Sequence, residues 1–261
     1  MKKVLVVLAV VAAMAFAGCS NDRDGVLMVG ATPVPHAQLL NLIRDDLAEK
    51  GITLRVVEFT DFMRPNRALM YGEIDANFFQ HLPFLEANDE WREGLTPVFG
   101  VHVEPFGLYS RRFGSVGELP QGATIAIPND PTNGGRALLL LQANGLIALR
   151  EDAGLLSTPR DIVYNPRDFV FRELNAAQLP RALDDVDAAT INGNFALQAG
   201  LNPQQDSLII EDADSPYVNI VVVQRGNEDD PRIHALRDAL LSPRVREFIE
   251  THFDGGVIPA F

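Results

Sequence analysis

The chain has 261 residues and a formal charge of -13, from 22 basic and 35 acidic side chains. That balance argues against sequence-independent nucleic-acid binding, because the surface would meet phosphate with like charge. A composition 47% hydrophobic and 22% charged excludes a largely disordered chain, and the single cysteine, Cys19, excludes an internal disulfide framework and a cysteine-based zinc site.

In chain order, Lys2 and Lys3 come first, then an uncharged apolar run from Val4 to Phe16, then Ala17-Gly18-Cys19. Charge, apolar core and small residues in that order read as a secretory signal. The run is shorter than the roughly 20 residues a membrane span needs. A buried N-terminal helix is the alternative, and the position of Cys19 directly after two small residues argues against it. Phe16-Ala17-Gly18-Cys19 resembles the lipobox of bacterial lipoproteins, with Phe16 where Leu is usual. The resemblance implies a signal peptide over residues 1–18, cleavage before Cys19, and acyl chains on its thiol and amine. Two or more chains make a stable anchor. Cleavage removes two lysines and no acid, taking the charge from -13 to -15. Residues 19–25 then form a lipidated tether. The rest is a domain held outside the cytoplasm on the cell membrane or an outer membrane, an alternative the sequence leaves open.

Leu27 to Gly30 reads as a strand. Pro33 and Pro35 suit a helix entrance, and Leu39, Leu40, Ile43 and Leu47 repeat at helical spacing up to Gly51. Ile52 to Phe59 is the next strand, so the unit is strand–helix–strand with parallel pairing. A second unit opens with a strand at Ala123 to Ile127, followed by a turn-rich loop from Pro128 to Gly135. A helix then starts at Arg136 and stops near Gly145. Pro231 to Phe253 has helical spacing, with Glu228-Asp229-Asp230 as a capping loop.

The halves also continue alike. Arg67-Ala68-Leu69 precedes Ile74-Asp75-Ala76 and Asn77-Phe78-Phe79. Arg181-Ala182-Leu183 precedes Val186-Asp187-Ala188 and Asn192-Gly193-Asn194-Phe195. The fold class is α/β, two similar lobes joined by two extended crossings, Thr96 to Ser110 and Tyr217 to Gln224. Residues 26–106 with 222–261 form lobe one, and 107–221 form lobe two.

Ligands of open α/β sheets sit at the carboxyl ends of the strands. The loops there supply Phe78, Phe79, His81, one cation (Arg136) and several amides, a set that suits a small zwitterion with an apolar side chain. A cation at a helix start makes sense when an anion shares the helix amides, and a surface pairing with Asp130 is the alternative. Adjacent Phe78 and Phe79 point to opposite faces of a strand, one into the core and one into the cleft. No histidine pair has i,i+4 spacing, and His81 reads as a packed histidine rather than a metal ligand. Asp184, Asp185 and Asp187 read as a solvated face. Nucleophile-elbow, P-loop and dinucleotide-binding motifs are all missing. No cofactor or metal is expected.

Segments along nearly the whole mature chain carry a family resemblance: Gly30-Ala31-Thr32-Pro33, Glu58-Phe59-Thr60-Asp61, Asp75-Ala76-Asn77-Phe78-Phe79-Gln80-His81, Glu104-Pro105-Phe106-Gly107-Leu108-Tyr109-Ser110, Ile127-Pro128-Asn129-Asp130-Pro131-Thr132-Asn133, Ile191-Asn192-Gly193-Asn194 and Val257-Ile258-Pro259-Ala260-Phe261. They resemble the NlpA family, most closely its MetQ-type methionine-binding lipoproteins. The resemblance implies a two-lobe (type II) periplasmic-binding-protein fold that closes on methionine and delivers it to the permease and ATPase of an ABC importer. It also implies that Arg136 holds the ligand carboxylate, that Asn219 and Asn192 or Asn194 bind the polar end, and that Phe62, Phe79 and His81 line the thioether pocket. Two positions depart from the family pattern. Phe62 stands where Tyr is common, removing a hydroxyl. Gly134-Gly135 stands where Glu-Gly is frequent, which keeps Arg136 and loosens the loop. L- or D-methionine, another amino acid and a methionine-containing dipeptide all stay open as ligands. A membrane-anchored enzyme using His81 with a carboxylate, and a same-fold binder of a metal or oxyanion, are the competing classes.

Overall fold

A computed structural model describes residues 25–212 and 215–261. The signal-like segment, Cys19 and the tether up to Asp24 lie outside the described residues. Among the described residues, no helix is long and apolar enough to cross a membrane.

The first strands are Val26–Ala31 (β1), Thr53–Glu58 (β2), Ala76–His81 (β3) and Leu95–Val103 (β4). Then come Gly107–Tyr109 (β5), Thr124–Pro128 (β6), a small ribbon of Ala148–Leu149 (β7) and Ile162–Tyr164 (β8), Val170–Leu174 (β9), Ala188–Ile191 (β10) and Ile209–Ile210 (β11). Val218–Gln224 (β12) and Ile258–Pro259 (β13) complete the set. Two main sheets result, ordered β13-β4-β12-β3-β1-β2 and β11-β5-β10-β6-β9. In the first, β1 lies parallel to both β2 and β3. In the second, β6 lies parallel to both β9 and β10. The shared start of the two halves is therefore a shared arrangement of strands. The chain passes from one sheet to the other at residues 104–106 and returns before β12, which belongs to the first sheet along its whole length.

Both faces of each sheet are covered, which is why the central strands read as unbroken apolar runs rather than alternating ones. Val221, Val222 and Val223 are fully buried, with neighbours on opposite faces. Leu39, Leu40, Ile43 and Leu47 pack with Leu236, Leu240, Val245 and Ile249 on one face of the first sheet. Leu69, Phe84, Leu85 and Trp91 cover the other. The second sheet is enclosed likewise, by Leu138 and Leu141 on one side and Leu179, Leu183 and Phe195 on the other.

Three helices differ from the periodicity reading. The first runs as Gln38–Leu42 and Arg44–Ala48. Ile43 departs to ψ 9° but stays buried, so the apolar repeat continues across the break. The C-terminal stretch forms Pro231–Leu240 and Pro243–His252. Pro243 offers no N–H to continue the first helix, and the Ser242 hydroxyl accepts from the Val245 N–H to start the second. Asp230 caps the first of these, as expected.

The third difference matters for the site. The helix expected from Arg136 starts at Pro131, capped by Asp130, and runs to Ala143. Pro131 to Gly135 is therefore the first turn of the helix, not a loop. Gly134-Gly135 does not loosen anything: both residues are buried in the helix. A Cβ at Gly135 would lie 2.1 Å from the Leu155 carbonyl oxygen, so glycine is what lets this helix seat against residues 154–157.

Candidate functional site

A pocket whose empty space, open solvent included, is about 340 Å3 is lined by Phe62, Phe79, His81, Glu104, Arg136 and Asn219 together with Gln80, Phe84, Asn133 and residues 192–194. All seven residues expected at the site are in that lining. Their backbones come from the ends of β3, β10 and β12, the bend before the Arg64–Met70 helix, the start of the Gly193–Gln198 helix, and the Pro131–Ala143 helix beyond its first turn.

The apolar end is aromatic. Phe78 and Phe79 face opposite ways, as strand geometry requires. Phe78 is fully buried in the core, its ring 4.6 Å from that of His36. Phe79 turns to the cavity, 6.1 Å from Phe62 and 6.0 Å from Phe84. Phe62 reaches across to Phe195, which follows β10, at 4.8 Å.

His81 caps the Leu82–Glu86 helix: its Nδ1 accepts from the Phe84 N–H at 3.2 Å. The ring proton therefore sits on Nε2, which donates to Asn133 Oδ1 at 3.3 Å. Burial, and then the charge of Arg136, pull its pKa down to about 3. His81 is thus a neutral donor. Asn133 Oδ1 also accepts from Asn192 Nδ2 at 2.8 Å. One amide oxygen so joins the end of β3 to the end of β10.

Arg136 is 4% exposed and lies beyond the first helical turn. The helix-start argument for an anion loses its force there, because the dipole effect fades within a turn. What holds the side chain is different. Nε and Nη2 fork onto the Glu211 carboxylate, Nε at 3.0 Å, and Nη2 also donates to the Glu104 main-chain oxygen at 3.0 Å. The guanidinium stacks 4.1 Å from the Tyr217 ring centre and 5.0 Å from that of Phe106. The alternative pairing with Asp130 is not formed; Asp130 bonds Thr132 and Asn133 instead. Nη1 makes no hydrogen bond with the described residues.

Asn219 Oδ1 is 3.0 Å from His36 Nε2. That nitrogen also lies 3.3 Å from Glu104 Oε1, so it must carry the proton and donate. The Thr32 hydroxyl then donates to His36 Nδ1 at 2.7 Å. Asn219 keeps its amide N–H2 for the cavity. Two other buried amide atoms in the lining have no partner among the described residues: the acceptor Asn192 Oδ1 and the donor Asn194 Nδ2. Buried polar atoms are normally paired, so these two mark where a ligand's polar groups fit.

Sequence reasoning missed Glu104, Asn133, Phe84 and the buried pair His36 and His102. Glu104 sits in Val101-His102-Val103-Glu104-Pro105-Phe106, where an acid in an apolar stretch was the available signal. His36, His102 and Glu104 offer three ligand-type atoms within 4.8 Å of one another. Spacing along one helix could not reveal a pair 66 residues apart. The 2.9 Å from His102 Nε2 to Glu104 Oε1 is that of an N–H···O bond, and His36 Nε2, 3.3 Å from the same oxygen, hydrogen-bonds Asn219. Burial pulls His36 to about 4 and His102 to about 3, so both are neutral donors at pH 7. Asp187, expected on a solvated face, accepts the Thr124 N–H and ties β10 to β6.

The chain is similar to known proteins over nearly all its length. The NlpA lipoprotein family profile matches residues 27–261. The membrane lipoprotein TpN32 of Treponema pallidum is 45% identical, over 93% of this chain and 91% of that one. The D-methionine-binding lipoprotein MetQ of Salmonella typhimurium is 41% identical, over 96% of this chain and 94% of that one. A nutrient binding protein from Burkholderia cenocepacia, solved bound to methionine, superposes with a TM-score of 0.87 at 41% identity, covering 90% of this chain and all of the other.

Proposed function

The chain belongs to the NlpA lipoprotein family, and from that premise we propose that it is a substrate-binding lipoprotein that captures methionine in this cavity and delivers it to an ABC importer. The observation that carries the reading is the lining itself. One end holds Phe62, Phe79 and Phe84, the other a buried guanidinium and unpaired amide atoms, and a methionine-bound relative shares the fold. In this reading Arg136 holds the ligand carboxylate through Nη1, and Asn192, Asn194 and Asn219 bind its polar end. Phe62, Phe79 and His81 enclose the thioether, each sulfur–aromatic contact contributing roughly 0.3–1.5 kcal/mol. Phe62 leaves that wall without the family hydroxyl.

The binding lobes are residues 26–106 with the C-terminal part, and the segment between. We draw the second boundary at Val218 rather than 222, because β12 is hydrogen-bonded into the first sheet from there. Cys19 carries the lipid that holds the protein outside the cytoplasm beside the importer, and the protein binds and releases its ligand unchanged. Calorimetric titration of refolded, ligand-free protein with L-methionine, D-methionine, glycyl-methionine and the other amino acids tests the reading. One saturable site for methionine is expected. Tighter binding of the dipeptide or of another amino acid reassigns the ligand, and turnover of any of them reassigns the class.

A further inference from the structure

The charges around the cavity do not balance within the protein. Arg136 and Glu104 are the charged side chains of the lining, and Arg136 is already matched by Glu211. Glu104 is 5% exposed and, among the described residues, forms no ion pair with a lysine or arginine. Its hydrogen-bond partners are His102 Nε2 and the Asn194 main-chain N–H, and His36 Nε2, bonded to Asn219, lies 3.3 Å from Oε1. Both imidazoles are neutral, so His102 orients the carboxylate, and His36 lies beside it, without cancelling its charge. Burial accordingly pushes the Glu104 carboxyl above its usual range, against the pull of His36, Asn194 and Arg136. A buried carboxylate held by dipoles alone is costly unless a positive group arrives.

Two features say what that group is. The Arg136 guanidinium donates to the main-chain oxygen of Glu104 itself, so positive and negative ends of the site stand on one short segment. The ammonium and carboxylate of an α-amino acid share one carbon and need such neighbours. The Asn192–Asn194 turn also closes directly on Glu104: a Cβ on Gly193 would lie 2.7 Å from the Glu104 Cβ. Glycine there lets this backbone approach the Glu104 side chain, and the unpaired Asn192 Oδ1 and Asn194 Nδ2 belong to the same lining.

We infer that Glu104 is the counter-charge for the ligand's α-ammonium, and that it makes the site select a free α-amino group over des-amino and N-acylated compounds. This rests on the methionine reading above. His102 is a positioning residue that holds Glu104 Oε1, and the other carboxylate oxygen lies beside Gly193 of the cavity lining.

The test is calorimetric titration of the wild type and Glu104→Gln with methionine and with its des-amino analogue, 4-(methylthio)butanoate. The wild type is expected to bind methionine at least ~100-fold more tightly, since a charged pair and its amide support are lost together. Glu104→Gln should weaken methionine at least ~30-fold and leave the analogue within about threefold, which is the loss of one buried charge partner. Equal losses for both compounds overturn the inference and make Glu104 a structural support. So does a wild type that binds the analogue as tightly as methionine. Should Glu104→Gln fail to fold, Glu104→Asp retains the charge one methylene further back. It should weaken methionine at least ~5-fold more than the analogue, and an equal loss overturns the inference. A wild type that binds the analogue but not methionine also overturns it, whereas one that binds neither overturns the methionine reading beneath it.

Discussion

Arg136→Ala acts on two free energies at once, and the structure separates them. Toward ligand, it removes the cation that meets the carboxylate. Deleting one partner of a buried charge pair costs roughly 2–5 kcal/mol, or about 30-fold to several thousand-fold in affinity. Toward the fold, it strands Glu211, which accepts from both Nε and Nη2 and is 17% exposed. That partial exposure lets water reach the orphaned carboxylate, so the cost is on the order of 1–3 kcal/mol rather than that of a fully buried charge. Loss of the stack on Tyr217, at 4.1 Å, adds roughly 0.5–2 kcal/mol. A total of roughly 1.5–5 kcal/mol does not exceed the usual ~5–15 kcal/mol stability of a domain, so the variant folds but melts earlier. Calorimetry with methionine and urea unfolding without it measure the two effects. Adding Glu211→Ala should recover part of the stability and none of the affinity. An unchanged dissociation constant in Arg136→Ala removes it from the site and refutes this reasoning.

Asn219→Ala should lower the ligand-free unfolding free energy by roughly 1–2 kcal/mol, because His36 Nε2 loses its acceptor, and weaken methionine about tenfold. A lower melting temperature with undiminished binding makes Asn219 purely structural. Acid should destabilise the protein: His36, His81 and His102 have folded pKa values of about 4, 3 and 3 against 6.5 unfolded. The unfolded state binds more protons in that interval, so their stabilisation is complete above pH ~6.5 and lost as pH falls toward 3, at about 1.4 kcal/mol per pH unit for each histidine. Glu104, shifted upward, opposes this, stabilising below its unfolded pKa and losing that contribution as pH rises through its folded one. Denaturant titrations at pH 7, 6, 5 and 4 check the sign, and a flat profile contradicts it. Cys19→Ser should abolish labelling by a palmitate analogue, and equal label on wild type and variant sinks the anchor assignment.

What could be read from the sequence was whatever the chain writes locally. The parallel β1–β2 unit, the opposed directions of Phe78 and Phe79, and the Asp230 cap all follow from periodicity or a single residue type. Arg136 was found for a reason that did not survive: it is not at the helix start, and Glu211, 75 residues on, holds it. The helix start itself was misplaced because Asn, Gly and Gly look like a loop, whereas here a side chain on Gly135 would strike Leu155. The His36–Glu104–His102 cluster was invisible for a simpler reason. Each member lies in a segment whose own pattern is apolar, and only strand pairing brings β4, β12 and the turn after β1 together.

Growth of crystals with selenomethionine as the ligand tests the account most directly, since the selenium stands where the thioether sulfur would. With protein whose own methionines carry sulfur, the account predicts one dominant anomalous peak among Phe62, Phe79 and Phe84, with the ligand carboxylate on Arg136. A strong peak elsewhere on the protein, or a ligand reversed so that its carboxylate meets the aromatic wall, would contradict it.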